Sequence, residues 1–81
     1  MPNIDTIKGG VRINIYPNDH VPPHVHAIYG EHEALIGIEK QEILKGVLPK
    51  THLQNARTYV SENKEDLLTV FIQLNPQTLR K

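Results

Sequence analysis

Residues Val11-Arg12-Ile13-Asn14-Ile15-Tyr16 alternate apolar and polar with period two, the pattern of a strand with one buried face. Pro17-Asn18-Asp19 is turn chemistry. A second strand is expected over residues 24–29, and Gly30-Glu31 closes a tight hairpin onto a third over 33–39. Lys40-Gln41 turns the chain into a fourth short strand over 42–45, ended by Gly46. The period then changes. Pro49 suits a first helical turn, and Thr51-His52-Leu53-Gln54 has the spacing of a capping box. Leu53, Ala56 and Val60 recur at helical intervals. Asn63 is placed to cap a second helix, with Glu65 and Asp66 near its positive end and Leu67, Leu68, Phe71 and Leu74 as its apolar stripe. Asn75-Pro76 ends it; a single kinked helix over 49–75 is the alternative. The fold class is therefore α+β, a three- to four-stranded antiparallel meander followed by one or two C-terminal helices packed on one sheet face.

Consecutive antiparallel pairing fixes the faces, because side chains alternate across a sheet. Tyr16 falls opposite His24, Asn14 opposite His26, His26 opposite Leu35 and Val25 opposite Ile36. One face then carries Val11, Ile13, Ile15, Val25, Ala27, Tyr29, Ala34, Ile36 and Ile38, which the helices should cover. The other carries Arg12, Asn14, Tyr16, His24, His26, Ile28, Glu33 and Leu35. A slip of one residue would bury the polar set, so the register is strongly specified.

Length and composition narrow the class. The 81 residues suit one domain spanning 1–81. A chain this short buries only about 60% of its unfolded surface, and such chains often lean on a metal or a partner. Cysteine is absent, which excludes disulfides and thiolate zinc sites. The apolar runs fall short of the ~20 residues that span a bilayer, and no secretory segment is recognised, so a cytoplasmic location is expected. Nine basic and nine acidic residues balance, which disfavours nucleic acid as a partner unless the charges are segregated in space.

Three of the five histidines, His20, His24 and His26, fall within seven residues around Pro22-Pro23. Imidazoles two apart on a strand share a face, where both can reach one zinc or other divalent metal, with His20 as third ligand and Asp19 or Glu33 as a carboxylate. The plainer reading is that His24 and His26 are solvated, or paired with Tyr16 and Asn14. His24, His26, Arg12 and Tyr16 are also the candidates for acid–base catalysis, since imidazole titrates near neutral pH and Arg can stabilise developing phosphorane charge. Nucleophilic catalysis has no candidate pair: Ser61, Thr51, Thr58 and Thr69 all sit in helical surroundings. His32 and His52 read as surface residues.

Asn18-Asp19-His20-Val21-Pro22-Pro23-His24-Val25-His26-Ala27 closely resembles a family of small bacterial proteins classed as a domain of unknown function. The resemblance extends through Tyr29-Gly30-Glu31, Glu33-Ala34, Leu48-Pro49-Lys50 and Lys64-Glu65-Asp66-Leu67-Leu68. It implies a bacterial source, a sheet-plus-helix domain and a two-gene unit of toxin–antitoxin type. It carries over no activity. Family members commonly have an aromatic where this chain has Val25, and Trp near Tyr59. The expectation is an interaction module that binds a small protein encoded by a neighbouring gene, or a second copy of itself, through a face presenting Tyr16, His24, His26, Ile28 and Leu35. The alternative is a small hydrolase or ribonuclease acting through His20, His24 and His26, with or without metal.

Overall fold

In the computed structural model, residues 3–17 and 22–76 are described. Five strands, β1 (Asn3–Ile7), β2 (Val11–Asn14), β3 (His24–Tyr29), β4 (His32–Gly37) and β5 (Ile43–Val47), precede α1 (Lys50–Glu62) and α2 (Lys64–Leu74). All pairings are antiparallel and the order is β1-β2-β3-β4-β5, an α+β meander. The sheet is one strand larger than the pattern of residues suggests. In β1 a bulge between Asn3 and Asp5 breaks the two-residue period. A 3-10 turn at Lys8–Gly10 then returns the chain into β2, with Gly9 and Gly10 both at positive φ.

The register of the central hairpins is the expected one. Asn14 pairs with His26, His26 with Leu35 and Val25 with Ile36. Val11, Ile13, Ile15, Val25, Ala27, Ala34, Ile36 and Ile38 are fully buried, and Tyr29 packs against them half-buried. Leu48, Ala56, Val60, Leu67 and Phe71 complete the core from the helical half.

Local signals resolve differently in three places. The capping box does not form, because α1 begins after Pro49 and Thr51 already lies inside it; Leu53 N–H donates to the Pro49 carbonyl at 2.8 Å. Asn63 stands between the helices, but its Nδ2 donates back to the Tyr59 carbonyl at 2.9 Å and so closes α1. Its own carbonyl accepts from Leu67 N–H, which starts α2. Two helices therefore form, not one. Third, His52 is half-buried rather than fully exposed. Its ring stacks on Tyr29 at 3.9 Å and lies against the Gly9 backbone. Among the described residues, no helix is long and apolar enough to cross a membrane.

Candidate functional site

The face of the sheet turned away from the core is built in two rows. Asn14, His26, Leu35 and Lys45 stand side by side across β2 to β5. Thr6, Arg12, Ile28, Glu33 and Val47 form the row beside them. Arg12, Glu33, Lys45 and Val47 are exposed; His26, Ile28 and Leu35 are half-buried.

His26 is the centre of this face. Its Nδ1 lies 2.9 Å from Glu33 Oε2, a diagonal contact of the kind that long side chains make between neighbouring strands. With an acceptor-only carboxylate there, Nδ1 carries the proton. The Tyr16 ring meets the His26 ring edge-on at 4.6 Å, and Asn14 Nδ2 donates to Tyr16 Oη at 2.9 Å. Asn14, Tyr16, His26 and Glu33 thus hold one another in place. The His26 side chain keeps 15% of its surface.

His24 has a different place from the expected open one. Strand alternation puts it on the side of His26, 5.1 Å away ring to ring, yet it is only 1% exposed. The C-terminal end of α2 closes this end of the sheet: Phe71 lies 5.7 Å from the His24 ring, and Asn75 Nδ2 donates to the Tyr16 carbonyl at 3.0 Å. His24 Nδ1 donates to the Pro22 carbonyl at 2.8 Å, which ties the imidazole to the diproline before it. Phe71, Asn75 and the Pro22 carbonyl are the parts of this corner that sequence reasoning missed. Val47 was missed on the open face because β5 runs on through Gly46, and Lys45 because its side is set by an irregularity in the β4–β5 pairing.

His20 and Asp19, candidate metal ligands, lie outside the described residues. Among the described residues, no three His, Asp or Glu side chains cluster closely enough to hold a metal ion. On the helix side, burial pushes the Tyr59 hydroxyl above its ordinary pKa, helped by the charge and hydrogen bond of Asp5 and by the charge of Asp66.

No curated protein and no solved structure matches the chain. The family described as "Domain of unknown function (DUF4160)" matches over residues 10–71, from the turn before β2 to Phe71 in α2. That span takes in the sheet from β2 onward, the diproline, both histidines of β3 and the aromatic that covers His24, and the chain belongs to this family.

Proposed function

We propose that the protein is a small interaction module that binds a protein partner through the uncovered face of its sheet. The partner is the product of a neighbouring gene in a bacterial, cytoplasmic two-gene unit of toxin–antitoxin type. The observation behind this reading is the one-sided sheet: helices cover one face, and the other presents Ile28, Leu35 and a Val47 that is 66% exposed among polar groups. Apolar groups inside a polar rim are the anatomy of an interface. Tyr16 and His26 border this surface, whereas His24 supports it from below.

The second reading is a hydrolase or ribonuclease, favoured by the carboxylate–imidazole pair of Glu33 and His26 beside Tyr16 and Arg12. One set of variants separates the two. As an interface, the face fails when Leu35→Asp or Ile28→Asp buries an unpaired charge, and His26→Gln weakens capture of the neighbouring product only modestly. As an active site, His26→Gln costs on the order of 10²–10⁴ in rate, because the titrating group is gone. The assay pairs co-purification of the two gene products with growth arrest on expression. Arrest abolished by His26→Gln, in protein that still binds its partner, overturns the interaction reading.

A further inference from the structure

The chain is formally neutral, and its open sheet face carries few of its charges. In the two rows of the uncovered face the charged side chains are Arg12, Glu33 and Lys45. Glu33 is engaged by His26. Arg12 and Lys45 are exposed and make no ion pair with another described residue. Other carboxylates lie elsewhere. Asp5 lies beside Tyr59 on the helix side, Glu31 in the β3–β4 turn, Glu39 and Glu42 with Lys40 in the β4–β5 turn, and Glu62, Glu65 and Asp66 with Lys64 where α1 meets α2.

Arg12 on β2 and Lys45 on β5 stand in adjacent rows three strands apart, about 14 Å across the sheet and about 7 Å along it, so about 16 Å from backbone to backbone. Ile28 and Leu35 occupy the strands between them, and Val47 lies beside Lys45. Resting on the interaction reading above, we infer that this face receives an acidic protein segment. Its carboxylates meet Arg12 and Lys45, and an apolar side chain between them settles on Ile28, Leu35 and Val47. An extended chain advances about 3.4 Å per residue with alternate side chains on one side. Carboxylates at positions i and i+4 around an apolar residue at i+2 stand about 14 Å apart, and the long side chains of Arg12 and Lys45 cover the remaining ~2 Å. A second copy of this chain would bring Arg12 and Lys45 against the same two cations. A nucleic acid would meet the Glu33 carboxylate and aliphatic side chains between the two cations, which disfavours its phosphates there.

The test is an NMR titration of the isotope-labelled full chain with three probes: a random glutamate–tyrosine copolymer, a lysine–tyrosine copolymer and polyuridylate RNA. The acidic copolymer should shift the amide signals of Arg12, Ile28, Leu35, Lys45 and Val47. Arg12→Glu and Lys45→Glu should each weaken it by about fivefold at low salt, and the double variant should prefer the basic copolymer. The shifts should shrink as salt shortens the ~10 Å screening length found at 0.1 M. Arg12→Gln and Lys45→Gln serve in place of any reversal that alters the fold. Equal binding of the two copolymers, tighter binding of polyuridylate, or concentration-dependent broadening of these signals without a probe each overturns the inference. The interaction reading fails separately, if Leu35→Asp leaves capture of the neighbouring product intact.

Discussion

His24 and His26 are two residues apart on one strand and do different work. His26 stands half-buried on the open face against Glu33; His24 is sealed beneath Phe71 and tied to Pro22. Alternation along β3 was legible and put both on one side. The burial of His24 was not, because it depends on α2 returning to the sheet from far along the chain. Tyr59 lends itself to a measurement at this scale. Its folded-state pKa is raised above the ordinary 10.0, by burial first and then by Asp5 and Asp66. A raised phenol binds its proton more tightly when folded. Its contribution is complete below the unfolded pKa and is lost as pH rises through the folded one. Stability should therefore fall above about pH 10. Tyr59→Phe should flatten that decline, at a cost near neutral pH of less than about 1 kcal/mol for the lost hydroxyl. Urea denaturation at steps from about pH 8 to 11.5 reads both effects; parallel curves for the two proteins would remove Tyr59 from the account.

Among the elements, β5 runs past the end that its residues suggest. A glycine after a short apolar run reads as an end, yet Gly46 sits inside the strand at φ +81. The reason is close approach: a Cβ there would fall on the Glu33 carbonyl oxygen and crowd the Ala34 backbone. Backbone cannot swing aside as a side-chain tip can. Gly46→Ala should cost at least about 2 kcal/mol, combining left-handed strain with that clash. Gly30→Ala, also at positive φ but with open space around it, should cost only about 1 kcal/mol. Denaturation gives the totals, and faster amide exchange confined to residues 43–47 would locate the damage; a Gly46→Ala loss under about 0.5 kcal/mol would mean β5 is not held as described. Elements with a clean period, β2, β3, β4 and both helices, were legible. β1 was hidden by its bulge, and the α1 start by a Thr-x-x-Gln spacing that Pro49 pre-empts.

Across the whole molecule, the change of period near Pro49 was enough to divide sheet from helices, and the placing of Arg12 and Lys45 on either side of Ile28 and Leu35 was not visible until the strands were aligned. The order β1-β2-β3-β4-β5 follows the chain, so every sheet pairing joins sequence neighbours. Such local pairing is fast to form. It also has a consequence for the chain as it is made. The sheet is complete at Val47, while the residues of α1 and α2 follow over roughly 1–5 s at about 5–20 residues per second. For that interval Val11, Ile13, Ile15, Val25, Ile36 and Ile38 form an apolar surface with nothing over it. A nascent chain halted at Val47 should therefore bind an apolar dye and aggregate, and one extended past Asn75 should do neither. A halted chain that stays monomeric and dark to the dye would mean the sheet does not assemble before its helices arrive.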